Sequence, residues 1–261
     1  MKSPLSRKRL RLAGATLAAG LLATQPLHSA PSPRHVVLIH GIWDTFRKMQ
    51  RIEQVLRQAG YDPLIVTLTP NGGQCSLETL AAQAKEQIEK SIPHDARFSI
   101  IGFSMGGLVA RSYMRQFGDP RRITTFISLA APNHGTWMAW LDGKPGVREM
   151  RPGSRFLAAL DADVPRYART RWVTIRTPFD LIILPSTSTE LPWAENHCVP
   201  VIAHPLLVTN RRVLDLILES LAPGPVSTKS TREPSASPRG ESPRPRSPGT
   251  PPHHWASPAA R

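Results

Sequence analysis

Phe98-Ser99-Ile100-Ile101-Gly102-Phe103-Ser104-Met105-Gly106-Gly107-Leu108-Val109-Ala110-Arg111 runs from an apolar strand pattern through Gly102-x-Ser104-x-Gly106 into a helix pattern. A serine hydroxyl attacks a carbonyl well only when it stands clear of neighbouring side chains, beside a base, with backbone N–H groups aimed at the oxyanion that develops. A tight strand-to-helix turn meets those demands. It needs residues without bulk on either side of the serine, which accounts for Gly102 and Gly106 and reads as a nucleophile elbow. With glycine at about 7% of residues, such a pentapeptide arises by chance in roughly one chain in ten of this length. Its setting therefore has to carry the reading.

Working outward from the elbow, apolar strand-like runs alternate with helical periodicity between Arg34 and Leu221. Val36 to Ile39 is a continuous apolar run ending at His40-Gly41, as a strand buried on both faces would be. Phe46 to Ala59 sets Phe46, Met49, Ile52, Val55, Leu56 and Ala59 on one helical face, with Gly60 as its stop. Leu64 to Leu68 reads as the second strand, and Leu77 to Ile92 as a helix capped by Ser76. After the elbow strand (98–103) and its helix (105–117), Ile123 to Leu129, Trp172 to Arg176 and Val199 to Ala203 read as strands four to six. Arg211 to Leu221 is the closing helix. This rhythm predicts an α/β fold, a mainly parallel central sheet of about six strands with helices on both faces and ligands at the strands' carboxyl ends.

The elbow serine needs a base, a group that orients the base, and a second oxyanion donor. His40-Gly41-Ile42 follows the first strand, where Gly41 lets the backbone approach and the Ile42 N–H points inward; the Met105 N–H, directly after Ser104, is its partner. For the acid, Asp180 in Thr177-Pro178-Phe179-Asp180 follows the fifth strand. Asp142, Asp161 and Asp163 fall in an irregular interval and Asp215 inside the last helix, while Glu190 and Glu195 are the fallback. For the base, His204 directly follows the strand expected at 199–203. His197 would begin that strand, at the wrong end of the sheet, and His134 precedes the acid. The order Ser104, Asp180, His204 is one of the three orders in which such triads occur. The interval Trp137 to Ala168 breaks the rhythm just beyond a strand end. It is either a packing excursion that covers the sheet edge or a wall of the acyl pocket or partial lid, and the second reading makes Trp137 and Trp140 candidate substrate-binding residues.

The ends differ from this core. Met1 to Ala30 combines a basic start, the apolar run Leu12 to Ala23 and small residues at Ser29-Ala30, the pattern of a secretory signal peptide; the run is short for a membrane span. Export to the periplasm or medium is expected, with an uncleaved membrane anchor as the alternative. Residues 222–261 are crowded with Pro, Ser and Arg and carry too little apolar surface to offset chain entropy, so a disordered tail is expected beyond a 31–221 domain. The formal charge of +14 is uneven: taking away the +6 of residues 1–34 and the +4 of residues 222–261 leaves only +4 for the core. That argues against nucleic-acid binding, which wants basic charge concentrated on the folded surface. The basic tail is a solvated linker or touches anionic lipid or envelope polymer. Cys75 and Cys198 are the two cysteines, which permit a disulfide without implying one; neither sits at a metal-ligand spacing, so no metal or cofactor is expected.

His40-Gly41-Ile42, the 102–111 segment, Pro132-Asn133-His134-Gly135-Thr136, the Thr-Pro-Phe-Asp strand end and the late His204 together resemble the bacterial α/β-hydrolases of the lipase and esterase kind, especially compact forms that keep only the central strands. That family often has histidine before the serine, where this chain has Phe103, a difference that bears on packing rather than chemistry. Larger lipases of the family hold calcium near the catalytic histidine through aspartates; no aspartate lies near His204 in sequence, and calcium is not carried over. The resemblance implies a serine hydrolase of carboxylic esters, lipid-like in substrate. Acyl transfer, thioester or amide cleavage by the same machinery is the first rival, and a non-catalytic binding protein of the same fold the second.

Overall fold

The computed structural model describes residues 34–222. The expected leader at 1–30 and all but the first residue of the expected tail at 222–261 lie outside the described residues. Six strands form one sheet: β1 (Arg34–Ile39), β2 (Tyr61–Val66), β3 (Phe98–Phe103), β4 (Ile123–Leu129), β5 (Arg171–Arg176) and β6 (Glu195–Cys198). Their order is β2-β1-β3-β4-β5-β6 and every pairing is parallel. Parallel neighbours need crossovers, and these are supplied by α1 (Gln50–Gln58), α2 (Leu77–Ser91) and α3 (Met105–Phe117), with α4 (Pro145–Glu149) and α5 (Arg155–Ala162) inside the β4–β5 connection and α6 (Arg211–Leu221) closing the chain.

The continuous apolar strands follow from cover on both faces. Along β1, Val37 and Ile39 enter a core shared with α2 and α3, whereas Val36 and Leu38 enter one shared with α1 and α6. Neither face meets water, so the strand has no polar alternation to display. Ser76 caps α2 as its sequence suggests, accepting from the Thr79 N–H at 3.1 Å. At the β2 edge the chain continues as Thr67-Leu68-Thr69, whose backbone is taken up by glutamines of α2. Gln87 accepts from the Thr67 N–H and donates to the Thr67 carbonyl, and Gln83 does the same at Thr69.

Four expectations are corrected. The sixth strand is Glu195–Cys198, not Val199 to Ala203: Pro200 has no N–H to give a ladder, and Val201 N–H closes a tight turn onto Val199 O instead. His197 therefore pairs with Ile175 near the carboxyl end of the sheet, and Cys198 ends the strand. The second strand begins three residues earlier than expected, at Tyr61. Phe46 belongs to a short 3-10 turn (Phe46–Met49) and is exposed, so the inward face of the first helix is Met49, Ile52 and Leu56. The interval 137–168 is mostly regular: 3-10 turns at Trp137–Trp140 and Val164–Tyr167 flank α4 and α5, and Met150, Leu157, Leu160 and Tyr167 join the core. Both cysteines are free thiols.

Candidate active site

Ser104 links β3 to α3 with φ 55° and ψ −129°, a conformation that a non-glycine residue holds only when its surroundings impose it, at a cost of about 1–3 kcal/mol. The surroundings are backbone. A Cβ on Gly102 would lie 2.4 Å from Gly107 Cα, and one on Gly106 would lie 2.3 Å from Ile39 O, so the turn closes only with glycine at both places. Gly41 lets the loop after β1 approach as well, since a Cβ there would stand 3.0 Å from Ser104 Cβ. Ser104, 5% exposed, opens into a cavity of about 110 Å³ lined also by Ile42, Trp43, Asp44, Lys48, Phe103, Ile182, His204 and Pro205.

His204 Nδ1 lies 2.7 Å from Asp180 Oδ2, with both side chains buried. The other oxygen, Asp180 Oδ1, accepts the N–H groups of Ile182 and Ile183, each at 2.9 Å. A carboxylate so held keeps Nδ1–H as the donor tautomer and leaves His204 Nε2 as the free nitrogen. The ring rests on Phe103 with centroids 4.9 Å apart, so the residue before the serine packs against the imidazole. Thr177, fully buried at the end of β5, exchanges hydrogen bonds with both the N–H and the carbonyl of Val201. It thereby ties the segment leading to His204 onto the acid strand. His204 itself opens a 3-10 turn (His204–Thr209) rather than ending a strand.

The loop after β1 has its own fixed state. His40 Nε2 accepts the Leu68 N–H at 3.2 Å, so Nδ1 carries the proton and donates to Gly41 O at 3.0 Å. Burial lowers the His40 pKa, against smaller opposing effects from Gly41 and Asp44. Asp44 is pushed up by burial and pulled back by Lys48, His40 and His204. Beyond Ile42, Trp43 adopts φ 56° although it is bulky, and its N–H donates to Asn71 O. Among the described residues Ile42 N–H has no hydrogen-bond acceptor. Met105 N–H stands in the first turn of α3, where a helix leaves donors unpaired and carries partial positive charge. A second cleft of about 510 Å³, between the loops after β1 and β2, shares Trp43 and Asp44 with the serine cavity.

The other candidates stand elsewhere. Glu190 accepts from Arg176, Glu195 from Arg171, Asp142 from Lys144 and Asp163 from Arg166, while Asp161 pairs with the buried Arg111. Asp215 and His134 are exposed. Trp137 and Trp140 lie outside the lining of the serine cavity and are 64% and 60% exposed, with Arg151 over the Trp140 ring at 4.5 Å. Sequence reasoning missed Trp43, Asp44 and Lys48, whose only signal is their place just after His40-Gly41-Ile42.

A parallel sheet with a serine at a glycine-flanked turn after its third strand, and an Asp–His pair from the last two connections, defines an α/β-hydrolase-fold protein. The chain is similar in fold to the mature lipase BlEst2 of Bacillus licheniformis (TM-score 0.59, 16% identity, 75% of this chain and 94% of that one) and to lipase B of Aspergillus fumigatus (TM-score 0.63, 16% identity, 72% and 52%). In sequence, the model of the palmitoyl protein thioesterase family matches residues 35–150. The human lysosomal thioesterase PPT2 is 26% identical over 121 residues, 45% of this chain and 40% of that one. Palmitoyl-protein thioesterase 3 of Dictyostelium discoideum is 24% identical over 133 residues, 47% and 46%. The matches cover less than half the length of either relative.

Proposed function

We propose that this protein is a serine hydrolase of acyl esters working through Ser104, His204 and Asp180. The observation that carries the reading is the 2.7 Å Asp180–His204 contact at the same small cavity as a serine held at positive φ. His204 Nε2 takes the Ser104 proton as the oxygen attacks the acyl carbonyl, and the Asp180 carboxylate stabilises the imidazolium that forms. The Ile42 and Met105 N–H groups donate hydrogen bonds to the oxyanion, aided by the positive end of α3. The alcohol leaves with the proton from His204, and a water activated by the same nitrogen clears the acyl-enzyme.

The serine cavity is smaller than the roughly 300–1,000 Å³ usual for whole ligands, so the substrate extends past it. The adjoining cleft offers that room, and exposed Trp43, Phe179, Leu181 and Ile182 on the loops around the site favour a lipid-like substrate. Export, read from the N-terminal pattern, belongs to the same proposal. A second reading, acyl-thioester cleavage, uses the same acyl-enzyme and is favoured by the family match over residues 35–150. The test is fluorophosphonate labelling of the purified protein and of Ser104→Ala, with p-nitrophenyl esters and acyl thioesters of matched chain length. Labelling and turnover that survive Ser104→Ala refute the reading; preference within the panel decides between ester and thioester.

A further inference from the structure

The segment Pro132-Asn133-His134-Gly135-Thr136 stands out in the sequence, yet none of its side chains lines the serine cavity. It is laced instead to the loop that carries the acid. Asn133 Nδ2 donates to Thr189 O at 2.7 Å, His134 N–H to Ser188 O at 3.0 Å, Ser188 Oγ to Gly135 O, and Trp137 N–H to Leu184 O at 2.9 Å. The Thr136 hydroxyl, 5% exposed, sits at the centre of the lacing: it donates to Ile182 O at 2.8 Å and accepts the Leu184 N–H at 3.0 Å.

One peptide unit connects this hydroxyl to the catalytic site. The Ile182 carbonyl that Thr136 holds and the Ile183 N–H that donates to Asp180 Oδ1 belong to the same planar amide. The chain therefore runs from Thr136 O–H through that amide to the Asp180 carboxylate and from there to His204. Each hydrogen bond in such a series polarises the next, so a donor on the carbonyl strengthens the N–H that aims the carboxylate. Ile182 also lines the serine cavity, so the same grip fixes part of its wall.

We propose that Thr136 is a positioning residue for the catalytic acid, acting through the amide between Ile182 and Ile183; this rests on the serine hydrolase reading. Thr136→Val keeps the shape and removes the hydroxyl. It should lower kcat on a short-chain p-nitrophenyl ester by about ten- to a hundred-fold, the scale set by misplacing a catalytic group, with KM within about two-fold. The rate of fluorophosphonate labelling should fall in proportion, and Thr136→Ser should restore both. Ser188→Ala, which removes another bond of the same lacing, serves as the stability control: its melting temperature should fall with kcat retained. The proposal is overturned if Thr136→Val loses melting temperature but keeps kcat, or if Ser188→Ala loses kcat equally. Should Thr136→Val not fold, Thr136→Ala carries the same two outcomes. Activity surviving in Ser104→Ala would sink the parent reading and this one with it, whereas kcat retained in Thr136→Val beside an inactive Ser104→Ala would sink this one alone, so the two failures are separable.

Discussion

Gly106→Ala tests whether the elbow and the loop after β1 are as tightly set as their backbones indicate. The new Cβ would stand 2.3 Å from Ile39 O, 2.5 Å from His40 O and 2.8 Å from Ile39 C. All three are main-chain atoms at the end of a buried strand, so no side chain can swing aside. Ordinary contact begins near 3.4 Å, and α3 must therefore retreat from β1 by about 1.1 Å. Overpacking of this kind typically costs about 1–3 kcal/mol. The retreat also separates the Met105 N–H from the Ile42 N–H, the two proposed oxyanion donors, and a displacement of about 1 Å at a reacting centre is worth roughly a hundred-fold in rate. Gly143→Ala is the control, since a Cβ there meets nothing within 4 Å. Urea unfolding and kcat/KM on a butyrate ester should show Gly106→Ala losing both and Gly143→Ala losing neither. A Gly106→Ala protein with full activity and wild-type stability would show that the two backbones are not in the register described.

Ser104→Ala should abolish labelling and turnover by several orders of magnitude and hold or raise the melting temperature, because it removes a strained residue's function without removing core packing; retained turnover would assign the nucleophile elsewhere. His40 is neutral in the folded protein with its pKa lowered by burial, so below about pH 6.5 the unfolded chain binds the extra proton. Its contribution is complete above that pH and lost as pH falls, with a slope of at most about 1.4 kcal/mol per pH unit. The stability difference between wild type and His40→Gln should thus narrow on acidification, and a constant difference from pH 7.5 to 5.5 would remove His40 from the account. If exposed Trp137 and Trp140 bind the acyl chain, alanine at either should penalise octanoate more than acetate esters, by up to about 0.8 kcal/mol per methylene, with little change in melting temperature. A uniform loss across chain lengths would retire that role.

The elbow strand, its helix, β4 and α6 stand at the residues the sequence indicated, because there the apolar pattern is unbroken and, at the elbow, the glycines mark the turn. β6 was hidden for the opposite reason. As an edge strand it needs only backbone pairing on one side, and Glu195-Asn196-His197-Cys198 is polar, held by the Arg171–Glu195 pair and by Thr174 on Asn196. The apolar Val199 to Ala203 looked more like a strand but is interrupted by a proline. β2 begins early by the same logic, since Pro63 is tolerated on an edge. Chain order brought Asp180 and His204 forward, although the strand expected before His204 was misplaced by one segment. Trp43 was not legible: its left-handed backbone is imposed by the fold on a residue whose type gives no hint of it.

The glutamines that grip Thr67 and Thr69 also govern how this chain meets others of its kind. An outer strand with free N–H and carbonyl groups is a template on which a second chain can add its own, the first step towards edge-to-edge aggregates. Here Pro63 removes a donor within β2, and two amides from α2 occupy the hydrogen-bonding positions just beyond it. The chain at the carboxyl end of that border is thereby covered by the molecule's own helix. The apolar side chains exposed on the loops at Trp43 and Phe179 to Ile182 thus belong to a molecule that keeps its adhesive edge backbone at Thr67 and Thr69 out of reach of its neighbours.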